Sequence, residues 1–232
     1  MQRGTYLTGD RVAVAQSDFI RKVFNWMGLG LAVTALSSLY TASSPALLQL
    51  VFGNSIVLIL LIVAELGLVM ALSAAINRIQ SSTALLMFFA YSLLNGVTLA
   101  AIFLVYTRAS IASTFFVTAG TFGAMSLYGY TTKRDLTSWG SFLFMGLIGV
   151  IIASLVNFFL QSPMIYWLIT YAGIIVFVGL TAYDTQQIKQ MAHAGFSGSE
   201  DERRGAIIGA LKLYLDFINL FLLLLRVFGR RN

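Results

Sequence analysis

The sequence predicts an all-α, polytopic membrane protein with seven helices, and three observations carry that expectation. The 232 residues are 58% hydrophobic and only 10% charged, with a mean hydropathy of +0.84, far from the roughly quarter-charged composition of soluble domains. Surface-to-volume scaling leaves roughly 30% of the unfolded area exposed at about 150 residues and little less at this length, so lipid must cover apolar surface that a soluble fold could not hide. The charges also fall in clusters, separated by apolar runs long enough to cross a bilayer core of about 30 Å.

Residues 1–22 hold Arg3, Asp10, Arg11, Asp18, Arg21 and Lys22, and no further charge occurs before Glu65. They are expected to form a polar cytoplasmic arm, followed by one transmembrane domain over 23–232. The apolar run after the arm is too long and too far from the start for a cleaved signal peptide. A first span is expected over about 23–40, a turn at Ser43-Ser44-Pro45, and a second span over about 55–77. Further spans follow over 83–106, 111–131, 139–160, 164–183 and 206–228. The charge-free stretch 136–183 is 48 residues long and divides at Gln161-Ser162-Pro163, where proline marks a tight turn. No internal repeat of the inverted-transporter type is found.

With the N-terminus inside, ten Lys and Arg fall on the cytoplasmic side and four, Arg108, Arg226, Arg230 and Arg231, outside. This asymmetry favours a multi-pass protein of the cell's inner membrane with a cytoplasmic N-terminus. The three arginines after the seventh segment oppose it, and a re-entrant seventh segment would bring them inside. There is no cysteine and one histidine, His193, which excludes disulfides, thiol chemistry and zinc sites built from Cys or several His. The net charge of +6 comes without a basic, aromatic-rich cluster, so no nucleic-acid partner is expected.

Ionisable groups inside spans are the strongest functional pointers, since even insertion scales charge about 2.5–3.5 kcal/mol for Asp or Lys at a helix centre. Three acids qualify: Glu65 in the second segment, Asp184 at the end of the sixth and Asp216 in the middle of the seventh. Gly205, Gly209, Lys212, Asp216 and Asn219 lie on one helical stripe. The two glycines suit close helix packing, and the polar members must face protein or water. A simpler reading of Lys212 and Asp216 is a local i,i+4 ion pair. If Asp184 and Asp216 meet in a poorly solvated site, they can share a proton, and losing it turns attraction into repulsion. The same oxygens suit a hard cation such as Ca²⁺, with Glu65 either a third oxygen ligand or a buried acid bonded to a neighbouring side chain. Asn95 and Asn157 are expected to make interhelical hydrogen bonds, and Trp139, Tyr166 and Trp167 to anchor at the interface.

At these residues the chain resembles the Bax inhibitor family of small membrane proteins, bacterial branch. The resemblance rests on Leu-Tyr-Leu-Asp-Phe-Ile-Asn-Leu-Phe (213–221) with Leu-Leu-Arg (224–226), on Tyr-Asp-Thr-Gln-Gln-Ile-Lys (183–189) and on Tyr-Thr-Thr-Lys-Arg-Asp-Leu (130–136). It implies six helices around a central seventh and a pH-dependent calcium leak governed by two aspartates, which fall on Asp184 and Asp216. Glu65 and Asn219 are then candidate ion contacts, and Asp184 and Asp216 the tentative Ca²⁺ ligands. Some members latch an aspartate with a basic residue near the inner end of the second helix. Arg78 is the nearest candidate here, although Ile76 stands at the corresponding position. No cofactor is expected, with calcium ions and protons as cargo and signal. Two other readings compete: a regulator that binds another membrane protein, and an intramembrane aspartyl protease. The protease reading lacks Gly-x-Gly-Asp at Asp216, and Pro45-Ala46-Leu47 lies far from the aspartates in sequence.

Overall fold

The computed structural model describes residues 9–196 and 198–232. The first eight residues of the expected arm lie outside the described residues. Helices follow in the order α1 (Gly9–Ser43), α2 (Pro45–Phe52), α3 (Ser55–Ala75), α4 (Ser81–Leu99), α5 (Ile102–Val105), α6 (Arg108–Thr131), α7 (Thr137–Leu160), α8 (Pro163–Ala194) and α9 (Ser199–Phe228). Seven stretches are long and apolar enough to cross a membrane: α1 from Gln16, α3, Ser81–Val105, α6, α7, α8 and α9.

Helix ends are marked by local side chains, because lipid offers no water for the free backbone groups. Ser44, Asn54, Thr107 and Ser162 each accept a hydrogen bond from a first-turn N–H of α2, α3, α6 and α8. Ser44 followed by Pro45 therefore starts the short helix α2 where the sequence suggested only a turn, since a capping serine with proline at the first helical position nucleates a helix. Gln161, at φ 50°, ends α7. The Asn157 side chain accepts from Ser162 N–H at 3.0 Å, so it closes the α7–α8 turn and does not bond across helices as expected.

Helices α1, α8 and α9 run past their expected ends. Phe19 and Val23 on α1 are fully buried, which places part of the expected arm inside the packed bundle. α8 continues to Ala194 through the helix-forming run Gln186–Ala192, and α9 starts at Ser199 with Glu200, Asp201 and Glu202 in its first turn, where the helix dipole favours anions. Those acids also tie elements together. Lys22 Nζ lies 2.6 Å from Glu202 Oε1, and Glu200 accepts from Ser81 N–H and Oγ at 2.5 and 2.9 Å, joining the starts of α1, α4 and α9 on one face.

The far end of α9 sits on the opposite face. Arg231 pairs with Tyr106, Thr107 N–H donates to the Arg230 carbonyl at 3.0 Å and Asn232 N–H to the Val105 carbonyl at 3.0 Å. α9 is one unbroken helix of 30 residues, about 45 Å at 1.5 Å per residue, so it crosses and does not re-enter. It is also the centre of the bundle: 72% of its apolar window is buried, against 6% for α3 and for α7. It packs directly on α1, α4, α6 and α8, whereas α3 rests chiefly on α4 and α7 chiefly on α8. The ring of six is therefore uneven.

Helix contacts rely on small residues and buried hydroxyls. A Cβ on Gly96 would run into the Thr34 carbonyl and Ser37 hydroxyl of α1, and one on Gly129 into the backbone of Ala182 on α8. Gly209 lies against Val23 and Ile188, so the seventh-segment glycines do admit close neighbours. The Tyr214 hydroxyl, fully buried, lies 2.6 Å from Thr34 Oγ1 and donates to Asn95 Oδ1 at 3.1 Å. Thr34 also donates to the Ser92 carbonyl at 2.8 Å. This network fastens α9 to α1 and α4.

Two stability outcomes follow from these contacts. Gly129→Val should lower the melting temperature of the detergent-solubilised protein, with an overpacking cost of about 1–3 kcal/mol, whereas Gly120→Ala, with nothing within 4 Å of a Cβ, should not. Size-exclusion detection after heating measures both, and equal melting of the two variants would refute the close α6–α8 approach. Tyr214→Phe, which leaves the half-buried Asn95 oxygen without its donor, should cost about 1–3 kcal/mol in the same assay.

Candidate functional site

Asp184 on α8 and Asp216 on α9 come together, as the sequence suggested. Both side chains line the same cavity between α7, α8 and α9, as neighbours on facing helices. Asp216 is 4% exposed, and its Oδ2 has no donor among the described residues. Lys212 Nζ lies 3.7 Å from Asp184 Oδ1, so the cation one turn before Asp216 is aimed across to α8. The local Lys212–Asp216 pair gives way to an interhelical one because α8 supplies a second carboxylate to the same ammonium.

Two carboxyls and one ammonium are electrically neutral when the carboxyls hold one proton between them. A shared proton also supplies the donor a carboxylate pair otherwise lacks. In a site screened from water this is the arrangement with the smallest uncompensated charge.

The pair borders a cavity of about 1000 Å³ between α7, α8 and α9. α9 contributes Lys212, Asp216, Asn219 and Arg226 along one side, and α7 faces them with Phe144, Leu147 and Ile151 among others. The predicted stripe thus divides: Gly205 and Gly209 pack, while Lys212, Asp216 and Asn219 form a polar wall. Asn219 Nδ2 donates back to the Leu215 carbonyl at 2.8 Å. At the far end Arg226 lies over the Tyr166 ring, 5.3 Å from its centroid.

The remaining sequence candidates lie elsewhere. Glu65 accepts from Thr98 Oγ1 at 2.9 Å and Asn95 Nδ2 at 3.3 Å, across the α3–α4 contact and on the Tyr214 side of α9. It is not a third oxygen beside the aspartates, and no group of three His, Cys, Asp or Glu side chains gathers among the described residues. Residues 214 and 216 point about 200° apart on a helix of 3.6 residues per turn, which is why the two polar clusters cannot merge. Arg78 is exposed in the turn after α3 and forms no ion pair among the described residues. The cation at the aspartates is Lys212, and the corresponding position Ile76 is buried. A resident Ca²⁺ takes six to eight oxygens, more than two carboxyls beside an ammonium supply.

Tyr214 and Thr34 are the polar residues that sequence reasoning passed over. Their signal was faint, one hydroxyl each in an apolar helix, although a buried tyrosine hydroxyl needs a partner. His193 is exposed at the end of α8, with Nδ1 2.7 Å from the Lys189 carbonyl, away from the cavity.

Comparisons with known proteins agree with this architecture. A family model described as Bax1-I, inhibitor of apoptosis-promoting Bax1, matches residues 16–232. The chain is 55% identical over 215 residues to the inner membrane protein YbhL of Escherichia coli K12, covering 92% of each. An uncharacterized protein of Borreliella burgdorferi is 48% identical over 217 residues, 94% of each chain, and one of Rickettsia prowazekii 45% identical over 214 residues, 92% of this chain and 90% of the other. With the seven spans, the buried C-terminal helix and a match across nearly its whole length, the chain belongs to the Bax inhibitor-like family of polytopic membrane proteins.

Proposed function

We propose that this protein is a pH-sensitive cation leak, with Ca²⁺ as the expected ion, governed by the protonation of Asp184 and Asp216. The observation that carries the reading is the meeting of two carboxyls and one lysine on the wall of the α7–α8–α9 cavity. With one proton held, the carboxyls attract and α8 stays drawn to α9. Once that proton is lost, two like charges sit in contact in a poorly solvated site, and the contact is driven apart. α9 is fastened on its other side through Tyr214 to Thr34 and Asn95, so the α7–α8 hairpin is the element that yields. A passing cation meets the aspartates in transit, and Asn219 is a further polar contact along the wall.

The expected setting is the inner membrane, with the face that carries Lys22, Arg78, Lys133, Lys189 and Arg203 in the cytoplasm. The basic asymmetry supports this, and the cysteine-free chain allows a clean test. Single cysteines at Arg78 and Lys133 should resist an impermeant thiol reagent in intact cells, and one at Ser162 should react. Labelling of the first two from outside would invert the assignment.

The mechanistic test is calcium flux into proteoliposomes across about pH 5.5 to 8, since loss of a proton shared by the two carboxyls would show as a pH dependence. Wild-type flux should change with pH, and Asp184→Asn and Asp216→Asn should each flatten the profile while leaving a folded, monodisperse protein. The double variant should match the singles, because all three remove one coupled titration. A pH-independent wild-type flux, or Asn variants with the wild-type profile, sinks the paired switch. No flux at any pH from folded protein would favour a non-conducting regulator of another membrane protein.

A further inference from the structure

A second cavity lies on the other side of the bundle, and its chemistry matches no part of the aspartate site. It measures about 400 Å³ and sits between α1, α5, α6 and α9 near the face where α9 ends, with a wall that is almost wholly apolar. Besides Thr34, whose hydroxyl is bonded within the chain, two of its lining residues break that pattern. Arg108, in the first turn of α6, is exposed at its rim, and Ser38 on α1 is 4% exposed with its Oγ lacking any partner. An orphaned buried hydroxyl in an apolar pocket calls for an acceptor from outside the chain.

The charge on this face of the molecule is one-sided, and of its arginines Arg108 is the one that lines the cavity. Arg108, Arg226, Arg230 and Arg231 lie on this face, and none forms an ion pair among the described residues. The four segments that build the face, 40–55, 100–110, 157–166 and 226–232, contain no Asp or Glu. Arg230 is held beside Arg108 through its backbone, donating N–H to Ser110 Oγ at 2.8 Å and accepting from Thr107 N–H at 3.0 Å. Four unmatched arginines oppose the basic asymmetry of the rest of the chain. Their counter-charge must come from the bilayer or from solution.

The cavity's outer edge shows which. Phe116 is 74% exposed and Leu39 is 48% exposed along membrane-spanning helices, so the cavity borders lipid. We propose that it binds an anionic phospholipid: the phosphate at Arg108, a glycerol-ester carbonyl accepting from Ser38 Oγ–H, and one acyl chain between Leu31, Ala35, Ile111 and Phe217. Basic rims over intramembrane clefts are where acidic headgroups dock, and the chain supplies apolar burial that a free anion lacks. The back wall includes Thr34 and Phe217, so the occupant braces the side of α9 that the Tyr214 network holds.

The test is thermal melting of the purified full-length protein in a neutral detergent, titrated with phosphatidylglycerol, phosphatidylcholine or inorganic phosphate. Phosphatidylglycerol should raise the melting temperature with dose, and the other two should not. Arg108→Gln, at an exposed side chain that supports no packing, should weaken the lipid's half-effective dose by about tenfold, as expected for one charge-assisted hydrogen bond. Ala112→Phe, which fills the apolar part, should abolish the shift with Arg108 intact, and if that variant does not fold, Ser38→Ala should weaken the dose response in its place. Equal shifts from both lipids, a shift from inorganic phosphate alone, or an unchanged response in Arg108→Gln would overturn the proposal. A response that survives both cavity variants would show headgroup binding without chain insertion and would overturn it as well.

Discussion

Everything in this fold answers to one constraint: α9 places polar side chains at the centre of a membrane protein, where lipid offers them no partners. In lipid each buried polar group must be satisfied inside the protein, and α9 carries such groups on two opposite sides. Tyr214 finds Thr34 and Asn95 on one side, and Asp216 finds Asp184 on the other, with Lys212 paired to Asp184. Three of the four helices packed directly on α9, namely α1, α4 and α8, bring these partners, and α6 adds apolar packing. α3 and α7 offer it none and remain peripheral. The placement of the ring thus follows from hydrogen-bonding need as much as from apolar packing.

The two sides differ in how tightly they are closed. On the Tyr214 side the rings of Phe88 and Tyr91 meet Tyr214 edge-on, with centroids 5.7 and 5.6 Å apart, and the Gly96 backbone lies directly on α1. On the Asp216 side there is a cavity of about 1000 Å³, and α7 reaches across it without packing on α9. Close-packed contacts have few alternative arrangements; α7 rests chiefly on α8 and is the less constrained of the two, whereas α8 is also packed on α6 and α1. The α7–α8 seam is itself dense, since Gly140 abuts the Tyr183 ring and Gly179 the Leu143 side chain. Those two helices therefore move together or not at all, and Tyr183 stands next to Asp184 in that seam.

Much of this was legible in the sequence because burying charge in lipid is costly enough to leave a mark. The seven spans and the central acids could be anticipated from apolar runs and charge spacing, while the meeting of Asp184 with Asp216 was posed as a condition and implied by the family resemblance. What sequence left open was anything set by rotation about a helix axis in a neighbouring segment. Glu65 could be read either as a third ligand or as an acid bonded to a neighbouring side chain, and the docking of α3 on α4, where Asn95 and Thr98 take it up, selects the second. Lys212 looked like a partner for Asp216 on its own helix, but the interhelical carboxylate was nearer to its ammonium. Arg78 was the nearest candidate for a latch, although Ile76 held the corresponding position; α3 stops at Ala75 and leaves the arginine in an exposed turn.

Helix ends were hidden for a different reason. Hydropathy reports where lipid stops, and hydrogen bonds report where a helix stops, and the two need not coincide. α8 and α9 extend past the apolar segments into the charged tract because Glu200 and Glu202 have partners in Ser81 and Lys22. Those bonds fix the start of α9 relative to α1 and α4, just as the Tyr214 network fixes its middle and the pairing with Val105 and Thr107 fixes its end. A helix held at three heights cannot slide or rotate without breaking the buried Tyr214 bonds and the pairings at its two ends together. Any response to protonation at Asp216 must then be taken up on the opposite side, by the carboxylate of Asp184 and the hairpin that carries it.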